Sequence, residues 1–377
     1  MRIFQVLSNT TNSNLPHNNT WYRNLYEPLI EMGHDVFLYD SYQGKKAMFT
    51  NNIGLRTEFS EKLLKEFRRE HMKNPFDMFF SYFMNGMVDE DIVKTISDMD
   101  VPTCNFSCNN THQFHLVDKI SKCFDFNLHS EKDSKSKFDN IGATEIWWPM
   151  ASNPKYFKPQ NITKNTQASF VGANYALRSK NIEYLLENKI DVHAYGPGWD
   201  KVARTNLRAH VKRGMLLMKT LGFPPIRDQY RNSSILAELD CQRYMIDTFP
   251  NNLHPPVSDD KLISLYSESY ISLGFLDVYD KHDPSSLITH HLHLREFEAP
   301  MCGALYITGY MDELSEMFEP EKEVVTYRNQ YELLDKVKFY LKHDNIANKI
   351  RKAARKRALK EHTYHHRYIK LFKQIGL

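Results

Sequence analysis

Two α/β halves in series, each a mostly parallel sheet wrapped by helices, are what this 377-residue chain predicts. Three observations carry the prediction. Short β-rich runs alternate with helical stretches through the first half, the pattern of βαβ units. A Pro-rich, polar passage over 149–165, with Pro154 and Pro159, then breaks the rhythm and reads as a hinge, after which the alternation restarts. The length suits two domains at roughly 150 residues each.

In order, strands are predicted at 2–7, 35–39, 76–83, 101–107, 124–129 and 145–148. Between the first two, Trp21, Leu25, Leu29 and Met32 recur at helical spacing, and Gly33 stands where a helix end wants positive φ. Beyond the hinge come strands at 168–172, 191–195, 270–275, 304–308 and 323–327, with a helix over 179–188. Two amphipathic helices, 331–343 and 345–361, follow, and the basic run Lys349 to Lys360 reads as a solvated face. The segment 201–252 does not fit the alternation. Its part from Lys201 to Arg231 holds eight Lys or Arg against the single acid Asp228, and Leu207, Val211, Met215 and Met218 make it an amphipathic basic helix. It reads either as an inserted surface helix or as a clamp for a polyanion. The expected domains are therefore 1–155, 156–360 with the insertion at about 201–252, and a final helix, 361–377, packing back on the N-terminal domain.

Composition narrows the function classes. At 41% hydrophobic, 13% aromatic and 25% charged, the chain is too apolar to be disordered. A net charge of +3 supplies no general polybasic field, so any basic site must be local. The start, Met1 to Leu7, reads as a strand rather than a signal peptide, and no window approaches the ~18 consecutive apolar residues of a membrane helix. Five cysteines without a C-x-x-C pair suggest neither a disulfide framework nor a zinc ribbon, and a reduced, cytoplasmic protein is expected.

In such a fold the carboxyl ends of the strands place ligands, and helix N-termini offer amides to anions. Phe170 to Asn174 ends a strand and leads through Arg178 and Lys180 into a helix, so Gly172 would let a diphosphate approach the backbone while the two cations neutralise it. Tyr195-Gly196-Pro197-Gly198-Trp199 is a second strand-end turn, whose aromatics either stack on a nucleobase or anchor the turn. Leu294 to Gly303 is the third element, in which an acid ahead of small residues can present a carboxylate to vicinal hydroxyls. In the first half, Ser8 and Asn9 open a polar loop after the first strand, and Asn109, Asn110 and His112 follow the fourth. His290, His291 and His293 lack metal-ligand spacing, and no metal site is expected.

The blocks R-E-F-E-A-P-M-C-G-A-L-Y-I-T from Arg295, E-L-S-E-M-F-E-P-E-K-E-V-V-T-Y from Glu313, E-L-L-D-K-V-K-F-Y-L from Glu332 and E-H-T-Y-H-H-R from Glu361 resemble the C-terminal half of CgeB-like glycosyltransferases. That group is similar to the family-four retaining transferases. F-V-G-A-N-Y-A-L-R, H-A-Y-G-P-G-W, G-H-D-V at Gly33 and W-W-P-M-A-S-N-P-K-Y-F at the hinge extend the resemblance over nearly the whole chain except about 201–252.

The resemblance implies a GT-B fold, two Rossmann-like domains facing a central cleft, with a nucleoside-diphosphate sugar as donor and no separate cofactor. Glu298 matches the second acid of a pair of glutamates separated by seven residues and would bind the donor ribose, while His290 stands where the first acid would fall. Arg178, Lys180 and Arg295 would lie on the donor diphosphate, with Gly172, Tyr195 and Gly196 lining the site and Arg178 and Glu298 counted with His112 as catalytic. Ser8, Asn9, Asn109 and Asn110 would hold the acceptor, a glycan, a lipid-linked glycan or a nucleobase in DNA. Since charge grows on the departing diphosphate, the cations would act mainly in the transition state, retaining and without metal. No D-x-D pair follows a strand. Two alternatives stand beside this reading: a DNA-base glycosyltransferase using the basic insertion, and a GT-B scaffold that binds without turnover in an assembly or coat.

Overall fold

The computed structural model describes residues 1–8, 20–200, 235–279 and 288–377. They form two compact units, one of the described residues up to Pro154 together with Lys360–Leu377, the other of Lys155–Leu359.

The first unit is built on six parallel strands, β1 (Arg2–Leu7), β2 (Asp35–Asp40), β3 (Met78–Ser81), β4 (Thr103–Ser107), β5 (Phe126–His129) and β6 (Glu145–Trp147), in the order β2-β1-β3-β4-β5-β6. β3 and β4 are buried along their whole length, as parallel strands covered on both faces must be. One side of the core is aromatic, with the Phe4 ring about 5–6 Å from those of Phe37, Phe67, Phe76 and Phe79. The helix Ile53–Lys73 supplies Phe59, Leu63 and Phe67 to it at a four-residue spacing, and Asn52 caps its start by accepting from the Leu55 amide at 3.0 Å. The apolar run 76–83 overshoots its strand at both ends, because Phe76 and Phe83 fill the core from the flanking loops. The helix expected over 21–32 opens with a wide turn, Tyr22–Tyr26, before a normal turn, Glu27–Glu31. Pro28 explains this: it has no amide to give the carbonyl of Asn24, and its ring would strike that carbonyl in a regular helix. Gly33 ends the helix at φ +82°.

The helix Tyr364–Ile375 belongs to the same unit. Trp148 Nε1 donates to the Arg367 carbonyl (2.9 Å), Tyr368 Oη to Leu25 (2.6 Å), and the buried Arg367 guanidinium to the carbonyls of Pro149 (2.8 Å) and Met150 (2.9 Å).

The second unit also has a six-stranded parallel sheet, β7 (Thr166–Val171), β8 (Val192–Tyr195), β9 (Leu253–His254), β10 (Ser269–Leu273), β13 (Tyr306–Gly309) and β14 (Val325–Tyr327), ordered β14-β13-β10-β7-β8-β9. An antiparallel pair, β11 (Asp277–Tyr279) and β12 (Ile288–His290), stands apart from it. The strand order reverses between β7 and β10, which makes the carboxyl ends of those two strands the switch point. Residues 201–234, with the expected basic helix, lie outside the described residues. The rest of the segment 201–252 belongs to the fold: the helix Ile235–Thr248 places Cys241 and Met245 in the core and leads to the edge strand β9.

Candidate functional site

The site in the second unit starts from the two turns that leave β7 and β8. The Gly172 amide donates to the Tyr195 carbonyl (2.8 Å), and the Gly172 carbonyl accepts from Trp199 Nε1 (2.7 Å). Gly196 lies at φ +143°, and a Cβ there would sit 2.3 Å from the Gly172 carbonyl oxygen. A Cβ on Gly172 would meet Arg295 Nη2 at 2.6 Å. The glycines let two turns and an arginine close on one another, and the Gly172 amide is already used within the protein. Trp199, 1% exposed, anchors the turn, while the half-buried Tyr195 ring stacks on His254 at 4.3 Å.

Arg178 and Arg295 meet behind these turns. Arg178 opens the helix Arg178–Glu187 yet is 1% exposed. Its Nη1 donates to the Ala173 carbonyl after β7 (3.0 Å) and its Nη2 to the Phe275 carbonyl after β10 (3.2 Å), so one guanidinium bridges the switch point. The same Nη2 donates to His293 Nε2 at 3.1 Å, and the guanidinium lies 3.7 Å from the centre of the Tyr175 ring. Burial, and then the neighbouring Arg295, push its pKa down to about 10. Arg295 donates from Nε to the Val171 carbonyl at 3.1 Å. Burial disfavours its charge, and Tyr306 and Glu296 overcome that to hold its pKa above the ordinary value. Arg178 Nε and Arg295 Nη1 are buried donors with no hydrogen-bond partner among the described residues. Two adjacent cations with unused donors at a switch point are the chemistry of an anion site.

The acids beside them divide the work. Glu296 is buried and accepts from Tyr306 Oη (2.7 Å) and the His293 amide (2.5 Å), so it fixes the segment that carries Arg295. Glu298 is 6% exposed and makes no side-chain hydrogen bond or ion pair among the described residues. Burial pushes its pKa up to about 8, with Arg295 opposing and Asp259 and Glu296 adding to the rise. His290 pairs with Asp277 Oδ1 across the β11–β12 pair at 3.0 Å, and that hydrogen bond raises its pKa. A carboxylate therefore stands next to the position where the sequence pattern lacks one.

Gly172, Gly196, Arg178, Arg295 and Glu298 are thus gathered in one region, and Lys180 is not with them. It is exposed and lines a separate groove of about 550 Å³ with Glu183, Tyr184, Glu187, Cys241, Tyr244 and Gln330.

In the first unit Ser8 follows β1, and Asn9 lies outside the described residues. Asn109, at φ +63°, and Asn110 open the short helix Asn110–Gln113, which carries His112. Their amides are already occupied: Glu131 Oε1 accepts from Asn109 N (2.8 Å), and its Oε2 accepts from Asn110 N (2.7 Å) and Thr111 N (3.4 Å). The Asn110 side chain donates to Ser107 Oγ at 2.8 Å. The strand-end turn does hold a carboxylate, but it is the protein's own. Glu131 lies 21 residues from the Asn110 amide it caps, and nothing in the local sequence of either segment links them.

Residues 231–373 match the model of the family described as Glycosyl transferase-like. No curated protein matches the chain. Among solved structures, the chain is similar to the sucrose-phosphate synthase of Thermosynechococcus elongatus (TM-score 0.59, 12% identity, covering 100% of this chain and 99% of that one). It is similar to a glycosyltransferase of Rickettsia africae (TM-score 0.58, 12% identity, 99% and 98% covered). Anabaena HepE in complex with UDP-glucose is a third (TM-score 0.56, 10% identity, 100% and 99% covered). The chain has the two parallel-sheet, Rossmann-like domains of the GT-B glycosyltransferase fold, and its residues 231–373 match the glycosyl transferase-like family.

Proposed function

We propose that the protein is a GT-B glycosyltransferase of the CgeB-like type, which moves a sugar from a nucleoside-diphosphate donor to a glycan, lipid-linked or nucleobase acceptor. The observation that carries this reading is the pair Arg178 and Arg295, with unused buried donors, at the switch point of the second unit. The pair supports a site for the donor diphosphate. Negative charge increases there as the glycosidic bond breaks, and two fixed guanidiniums stabilise that charge without first having to reorganise. The same two charges make a metal unnecessary for neutralising the diphosphate, and the donor itself is the only small molecule required. Glu298, close to Arg295, would take the ribose hydroxyls, and retention at the anomeric carbon follows from the resemblance. That HepE is described with UDP-glucose favours a uridine donor. On the acceptor side, His112 stands as base or as donor to the sugar ring, Ser8 and Asn9 as acceptor contacts, and Asn109 as an acceptor contact through its side chain, since Glu131 takes the amides of that turn and the buried Asn110 side chain is given to Ser107 Oγ.

The test is a thermal-shift panel of nucleoside diphosphates and nucleotide sugars with EDTA present. A donor at 100 times its Kd should add about 2.7 kcal/mol of stability. Arg295→Ala, shown by circular dichroism to be folded, should lose that response. A panel without any response would sink the donor-site assignment and favour the scaffold that binds without turnover.

A further inference from the structure

At the amino ends of β7, β10 and β13, the opposite edge of the same sheet from Arg178, the second unit carries another cationic cavity. It measures about 290 Å³ and is lined by Lys164, Ser267, Gly303, Arg351, Lys352 and Arg355, among others. That is small beside the ~300–1,000 Å³ of most ligand pockets and suits a compact group.

The charges in it are not balanced among the described residues. Lys164 Nζ donates to the carbonyls of Ser267 (3.0 Å) and Ser269 (2.7 Å), which leaves the third proton of its ammonium unused. Arg351, 5% exposed, is fixed by Asp344 Oδ1 (2.7 Å), Asn348 Oδ1 (2.6 Å) and the Tyr270 carbonyl (2.7 Å), and its buried Nε has no partner. Arg355 makes no hydrogen bond or ion pair among the described residues, although its Nε is buried. Lys352 stands exposed at the rim. Asp344, itself half exposed, is the acid that pairs with this group. Burial, and then the neighbouring Arg351, push the Lys164 pKa down to about 8, with Asp344 opposing.

We propose that this cavity binds a phosphate group, held by Lys164 and Arg355 on a frame fixed by Arg351. A tetrahedral dianion supplies acceptors to the unused donors of all three residues and cancels the excess charge. The site is separate from the donor site at the carboxyl ends, so it can be filled whether or not a donor is bound. The phosphate is either a free phosphate ester or the headgroup of an anionic lipid.

The experiment is hydrogen exchange of the full chain with inorganic phosphate against chloride at matched ionic strength. Phosphate should protect peptides covering 159–164 and 348–355. The double variant Lys164→Gln/Arg355→Gln should weaken this protection about tenfold or more in phosphate concentration, as the loss of two charge-assisted donors implies. Unchanged exchange in the rest of the variant would show that it is folded. A second arm sediments the protein with phosphatidylcholine vesicles with and without phosphatidic acid. Co-sedimentation that requires phosphatidic acid and is lost in the variant identifies a lipid source, while phosphate protection without sedimentation identifies a soluble one. Protection confined to peptides 170–178 and 293–298, equal protection by chloride, or protection undiminished in the variant would overturn the proposal. Because the two sets of peptides are distinct, failure here leaves the donor-site reading standing.

Discussion

Glu298 is a carboxyl held far from its ordinary chemistry. Its pKa rises from 4.5 to about 8 because it is buried, against the pull of Arg295 and with Asp259 and Glu296 adding to the rise. Between those two values the folded protein keeps a proton that the unfolded chain releases, so this group makes stability fall as pH rises through that window. Glu298→Gln keeps the neutral shape and removes the titration. Its melting temperature should therefore decline less steeply than that of the wild type between pH 5 and 8, in a series of thermal melts across that range. Parallel curves would mean that Glu298 ionises normally. The position of this residue was legible in the sequence, because R-E-F-E-A-P-M-C-G carries its own pattern. Its protonation was not, since it depends on Asp259, 39 positions earlier, and on a degree of burial that no local motif encodes. The same holds for Asp277, which reaches His290 only because β11 and β12 pair, and for Glu131, whose partners are brought to it by the β4–β5 register.

At the scale of elements, the alternation of short β-rich runs with helical stretches placed every strand of both sheets except the two-residue edge strand β9, because strands covered on both faces are rich in apolar and β-branched residues even where, as in β4, buried Thr, Asn and Ser stand among them. The misses have local causes. Pro28 widened the first helix, and Phe76 and Phe83 lengthened an apolar run beyond its strand. What the sequence left open was the use of the turns. Gly172 and Gly196 were recognised as tight, but whether they faced a ligand or one another depends on the packing of β7 against β8. The structure brings them together, and that makes a sharp prediction. Gly196→Ala would force a Cβ to within 2.3 Å of a carbonyl oxygen at a φ of +143°, in a backbone region nearly reserved for glycine. It should cost about 3 kcal/mol or more, read as a lowered urea midpoint. A cost below about 1 kcal/mol would mean that the two turns separate easily.

For the whole molecule, the two units have separate hydrophobic cores, one around Phe4, Phe67 and Phe79 and the other around Phe170, Ile182 and Leu305. The chain closes the first unit only with its last helix, so residues some 340 positions apart, Leu25 and Tyr368, share a hydrogen bond. Arg367 holds this closure: three backbone carbonyls, those of Pro149, Met150 and Glu361, depend on one buried guanidinium. Arg367→Ala leaves these carbonyls without this donor and a void beside His362, and should destabilise the first unit by about 3 kcal/mol. If the units unfold as separate cooperative bodies, that loss stays local. Hydrogen exchange should then quicken in peptides around Leu25, Phe80 and Trp148 and stay unchanged over 155–359. The response of the second unit to a nucleotide, read from peptides 170–178 and 293–298, should likewise persist. Faster exchange in both units together would show that they melt as one, and the proposed donor site would then owe its stability to a helix that lies outside its own unit.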